Sequence, residues 1–247
     1  MEPAFDFVEA IALHSRGFAD ACEGNLDAPV THCPGWCVAD LVHHLTTTHW
    51  FWATIVEERL DAPPPEVRRP PRAQRHDAIA RFRTGAEHLV EVLRSAPWSD
   101  RVYTWASAQD DVAFVARHQV QEAAVHHWDA CRAAGRELVI APSVALDSIE
   151  EFLTFSVSSS NDPAEPARAP LRGSFVLRAR DADVSWSVFD GTVRGTVAYE
   201  RGALPALPVI SASASELLLW LYGRVDVDTS SVDADLLRRF RELSFTD

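Results

Sequence analysis

Apolar residues Phe5, Val8, Ile11, Ala12, Phe18 and Cys22 recur close to every third or fourth position with charges between them, which predicts a first helix from Phe5 to about Cys22. A Pro-Gly pair inside Cys33-Pro34-Gly35-Trp36-Cys37 marks a turn, and Val38 to about Leu60 reads as a long second helix with Asp40 in its first turn, where the helix dipole favours an acid. Asp61-Ala62-Pro63-Pro64-Pro65, followed by Pro70 and Pro71, cannot be helical and makes an extended connection. Ile79, Phe82, Ala86, Leu89, Val90 and Leu93 trace a third helical stripe, and a fourth helix runs from Asp111 to Ala134 before Gly135 stops it. Four helices of this length predict a bundle.

Beyond Gly135 the pattern changes. Pro142 and Ser143, as first-turn proline and cap, open one more helix through Phe155, and a Pro/Ser/Ala-rich stretch follows from Ser158 to Pro170. Apolar residues then alternate at Phe175 and Leu177, at Val184, Trp186 and Val188, and at Val193, Val197 and Tyr199, with turns at Asp181-Ala182-Asp183 and Asp190-Gly191. These are three antiparallel strands, with Val209 to Ala212 as a candidate fourth, a short apolar helix from Ser215 to Tyr222 and an amphipathic one from Asp233 to Leu243. The fold class expected is α+β: a four-helix bundle over residues 1–137 and a smaller domain of antiparallel sheet plus helices over 138–247.

The 247 residues, 47% of them hydrophobic, can fill two such cores. The formal charge of −13 excludes nucleic acid as a natural partner, because a phosphate backbone would be repelled over most of the surface. All 23 basic residues are arginine, which points to a high-GC genome. Four cysteines are too few for a disulfide scaffold, no basic and apolar leader opens the chain, and no apolar run approaches bilayer length. The expectation is a cytoplasmic protein with no membrane partner, monomer or homodimer.

On the fourth helix, Glu122 and His126 stand four apart, so both project from one face about a turn from each other. A carboxylate and an imidazole so placed can hold a divalent ion, but catalytic zinc usually takes three protein ligands. On the second helix the apolar face of Leu41, Leu45, Thr48 and Trp52 includes His44 and leaves His43 on the flank. The candidate metal site is therefore His44, Glu122 and His126; the competing reading is a solvated Glu/His pair. His49 lies about 140° around the helix from His44 and is expected at the mouth of the pocket instead of on the metal. His118 and His127 are read as solvent-facing, and Asp129 as pairing with Arg132 on the surface in preference to accepting a hydrogen bond from a ligand histidine. Cys33 and Cys37 are turn and helix-start residues, Trp36 a packing anchor of that turn, and Trp50, Phe51 and Trp52 core and pocket wall.

Cys33-Pro34-Gly35-Trp36, Val38-Ala39-Asp40-Leu41-Val42-His43-His44-Leu45 and Glu122-Ala123-Ala124-Val125-His126-His127-Trp128-Asp129-Ala130 resemble the signature segments of the mycothiol-dependent maleylpyruvate isomerase family, whose N-terminal domain is a DinB-like four-helix bundle. Arg172-Gly173, Trp186 and the run Ser211 to Arg224 resemble that family's sterol-carrier-like C-terminal domain. The resemblance implies zinc on His44, Glu122 and His126. It also implies that Arg224, closing the Leu-rich helix, reaches over the zinc from the second domain to hold an anionic substrate or thiol cofactor. A guanidinium fork can grip a carboxylate in two places, although Arg224 equally suits a helix-end cation.

Two neutral histidines and one carboxylate leave about +1 on a zinc site, which favours a bound thiolate over a thiol. The activity so implied uses zinc, or another divalent metal such as nickel or iron, with mycothiol as cosubstrate. The thiolate adds to a small electrophile, either to isomerise a cis double bond or to stay attached. A zinc hydrolase that activates water without a thiol, and a non-catalytic module that sequesters an apolar molecule, are the alternatives.

Overall fold

The computed structural model describes residues 5–106, 108–157 and 169–244. The chain divides into two compact units, Met1–Ile140 and Ala141–Asp247.

The first unit holds α1 (Phe7–Cys22), α2 (Val38–Glu58), α3 (Ala78–Ser95) and α4 (Val112–Ala133). Their ends follow local chemistry. Asp6 caps α1 by accepting from the Val8 and Glu9 amides, and Asp111 caps α4 by accepting from the Phe114 amide. Cys37 opens α2, donating its backbone N–H (2.8 Å) and its thiol (3.1 Å) to the Asp40 carboxylate. Those bonds, with an ion pair from Arg72, hold the Asp40 carboxyl down at about 2.

The order of contacts fixes the directions of the helices. His49 packs on Phe82 and Glu57 pairs with His88, so α2 and α3 run parallel. Phe18 packs on Phe82 and Glu9 pairs with Arg94, so α1 and α3 run antiparallel. His44 meets Glu122 while Trp52 meets His118, so α2 and α4 are antiparallel too. The bundle is thus up-down-down-up, and the proline-rich 59–77 segment, with one 3-10 turn at Glu66–Arg68, is the crossover that returns the chain to the starting end of α2. Phe18, Leu41, Leu45, Phe82 and Ala130 are buried together in its core.

The second unit begins with α5 (Pro142–Glu151), which runs into a π-helical turn at Phe152–Ser156. Ala141, not Ser143, occupies the N-cap position, and no side chain caps this helix. The Pro/Ser/Ala-rich segment lies, through residue 168, outside the described residues. Strands β1 (Phe175–Ala179), β2 (Val184–Asp190), β3 (Val197–Arg201) and β4 (Val209–Ala212) form one sheet in the order β3-β2-β1-β4. The pairs β1/β2 and β2/β3 are antiparallel as expected, but β4 joins the far edge parallel to β1, so the sheet is mixed. The turn after Asp190 is longer than a two-residue hairpin: the Gly191 amide bonds the Thr196 carbonyl (2.8 Å), β3 starts at Val197, and Val193 is exposed. Then come α6 (Ala214–Leu221), opened by a reciprocal Ser213/Glu216 cap, and α7 (Ala234–Leu243). Trp186, fully buried, donates its indole N–H to Glu150 (2.8 Å), and Phe240 of α7 packs edge-on against Phe175 of β1. No helix among the described residues is long and apolar enough to cross a membrane.

Candidate metal centre

Helix α4 places Glu122 and His126 on one face, and α2, running the other way, brings His44 opposite them. One ligand atom from each of the three lies within 4.8 Å of the others. His44 Nε2 is 2.9 Å from Glu122 Oε1, and His126 Nε2 is 3.5 Å from the same oxygen. Among the described residues this is the one group of three such side chains close enough to hold a cation.

The side chains of the cluster perturb one another strongly. Burial would raise the Glu122 carboxyl, but His126 and His44 outweigh it and hold the group well below its ordinary range. Burial would lower the His126 imidazole, yet Glu122 and Asp129 push it up to about 9. A proton on His126 thus balances the buried carboxylate, because an unpaired charge there would be costly. Two imidazole nitrogens and one carboxylate oxygen are a donor set suited to zinc and similar divalent ions, which would replace that proton.

Asp129 is one of the residues that sequence reasoning misplaced. It is 2% exposed and lies 3.0 Å from His126 Nδ1, so it accepts the ring proton there and leaves Nε2 facing the trio. The i, i+3 spacing from His126 was the available signal. His118 does not reach solvent either, and His127 is half-buried. His118 is buried against the rings of Phe114, Trp52 and Trp105, and His127 shares a hydrogen bond with His14 of α1 (Nδ1···Nδ1 3.1 Å). His49 is not at a pocket mouth: it has no exposed surface, packs on Phe82, and makes no hydrogen bond through either ring nitrogen. Burial, with the neighbouring His44 and His126, outweighs the pull of Glu122 and takes it down to about 4. Trp52 is core, whereas Trp50 and Phe51 are half-buried. Trp36 is not buried under its turn; the residue is 36% exposed, and its ring stands 5.3 Å from the His44 ring. In the other unit, Arg224 follows α6, is buried, and donates from Nη1 to the Tyr222 carbonyl (2.8 Å), the contact of a helix-end cation.

The model of the mycothiol maleylpyruvate isomerase N-terminal domain matches residues 8–131, half of the chain, and that span contains the whole trio. The chain belongs to this family. Its fold is similar to a crystal structure of the mycothiol-dependent maleylpyruvate isomerase, with a TM-score of 0.56 at 12% identity over 92% of this chain and 93% of that one. It is also similar to that of a histidine-to-alanine mutant of such an isomerase, with a TM-score of 0.53 at 12% identity and the same coverage. No curated protein matches the sequence. Membership accounts for the bundle, the structural likeness extends to the sheet-and-helix unit, and at 12% identity that likeness speaks to the fold alone.

Proposed function

We propose that the protein is a metal-dependent enzyme that activates a low-molecular-weight thiol, mycothiol by family, for isomerisation of or conjugation to a small electrophile. The observation that carries this reading is the convergence of His44, Glu122 and His126 inside the segment that matches the family. His44, Glu122 and His126 would hold the ion, zinc first among the divalent candidates. Bound there, it would supply the positive charge that favours thiolate over thiol at neutral pH.

The chain's own residues do the rest. Glu122 supplies the one negative charge, so the site with a divalent ion retains about +1 and accepts an anionic sulfur. Asp129 keeps the proton of His126 on Nδ1 and fixes the plane of that ring. His44, more exposed at 25% than Glu122 at 10% or His126 at 7%, marks the side from which a ligand reaches the trio. In this reading His49 acts as a neutral neighbour that keeps the interior short of further positive charge.

The test is elemental analysis of the purified protein and of Glu122→Ala and His126→Ala, together with an assay with and without mycothiol. One equivalent of divalent metal in the wild type, its loss in both variants, and turnover that needs the thiol are the expected results. Stoichiometric metal in both variants would refute the ligand set. A rate indifferent to thiol would favour hydrolysis by activated water instead.

A further inference from the structure

The short segment before α2 is held more firmly than a surface loop needs. The Val30 amide bonds the Trp36 carbonyl (3.0 Å), the Trp36 amide bonds the Cys33 carbonyl (3.0 Å), and Pro29 bridges Cys37 just ahead of the capped helix start. Gly35 sits at φ +84, a conformation that side chains disfavour, so the chain bends there and sets Trp36 in one place. A segment braced on both sides would be able to bury its one large side chain, yet Trp36 remains 36% exposed. It stands beside His44, on the more open side of the trio.

We propose that Trp36 is a wall of the ligand pocket, its indole face receiving a ring carried by the thiol that docks at His44, Glu122 and His126. This rests on the metal-and-thiol reading above. Ring centroids of Trp36 and His44 are 5.3 Å apart, so a group a few bonds from a sulfur docked beside His44 would come within reach of the indole. A half-exposed indole receives rings on its apolar face, flat ones by stacking and saturated ones through their C–H groups, and loses little conformational entropy in doing so. A thiol too short to reach the indole gains nothing from it. The simpler role, in which Trp36 only steadies the His44 ring, would affect every thiol alike.

The proposal is tested with cobalt-loaded protein by titrating thiophenol and 2-mercaptoethanol into wild type, Trp36→Ala and Trp36→Phe. The readouts are the sulfur-to-cobalt absorption band and the cobalt content. Trp36→Ala should weaken thiophenol by about fivefold to tenfold, leave 2-mercaptoethanol within about twofold and leave cobalt content unchanged, with Trp36→Phe recovering most of the loss. Equal losses for the two thiols, no loss for either, or cobalt lost from Trp36→Ala would overturn it. Cobalt uptake by wild type that persists in His126→Ala would instead sink the metal-site reading itself.

Discussion

Replacing Asp129 should loosen metal without unfolding the bundle. In Asp129→Asn the shape is kept and the amide oxygen can still accept from His126 Nδ1, so what is removed is the charge behind a 3.0 Å hydrogen bond at a site 2% exposed. Hydrogen bonds to charged groups contribute roughly 1.5–3 kcal/mol and neutral ones about 0.5–1.5, so the loss is about 1–1.5 kcal/mol, or near tenfold in metal affinity. Asp129→Ala removes the acceptor altogether and should lie nearer the ~100-fold end of what partners of ligand histidines contribute. Competition against a chromophoric chelator measures both, with far-ultraviolet circular dichroism to show that the helices persist. A second readout is independent of metal. Asp129 is among the causes that raise His126 to about 9, so in the metal-free protein its removal should lower that titration, seen by NMR of the ring protons. Zinc affinity within twofold of wild type in Asp129→Ala, together with an unmoved His126 titration, would show that Asp129 does not act on the ligand.

Two further outcomes follow from the His14/His127 contact between α1 and α4. Burial, aided by His127, takes the His14 imidazole from its ordinary 6.5 to about 4, so the unfolded chain binds a proton that the folded one refuses. Its contribution of roughly 3 kcal/mol is therefore complete above pH 6.5 and lost as pH falls towards 4. Urea unfolding at pH 7.5 and 4.5 should show the loss in wild type and a smaller one in His14→Phe; equal losses would remove His14 as the cause. In Gly17→Ala the new Cβ would stand 2.3 Å from His127 Cε1, which forces the ring away from His14. The helix gains about 1 kcal/mol from alanine, but the displaced ring and its broken hydrogen bond cost more, for a net loss of about 1–2 kcal/mol. A melting temperature at or above wild type would contradict this.

Much of the architecture could be read from periodicity, because α1 and α3 each present one apolar stripe. The convergence of His44 with Glu122 and His126 was legible for the same reason: the trio lies on inward faces that spacing alone defines. The polar residues of α4 were misread because that helix is buried around most of its circumference, including His118, Asp129 and the flank near His127. A rule that sends polar positions outward fails on such a helix. Trp36 erred the other way, since an indole in a Pro-Gly turn reads as an anchor and only the fold shows it beside His44. The parallel docking of β4 on β1 depends on which edge the chain returns to, and nothing local in Val209–Ala212 encodes that choice.

The up-down-down-up path gives the trio a second consequence. His44 and Glu122 are separated by 78 positions, with the proline crossover and all of α3 between them. An ion gripped by both would close that span into a ring and subtract its freedom from the denatured chain, as a long-loop cross-link does. Scarcity of the ion would then register twice, as a deficit in turnover and as a shorter lifetime of the bundle against proteases.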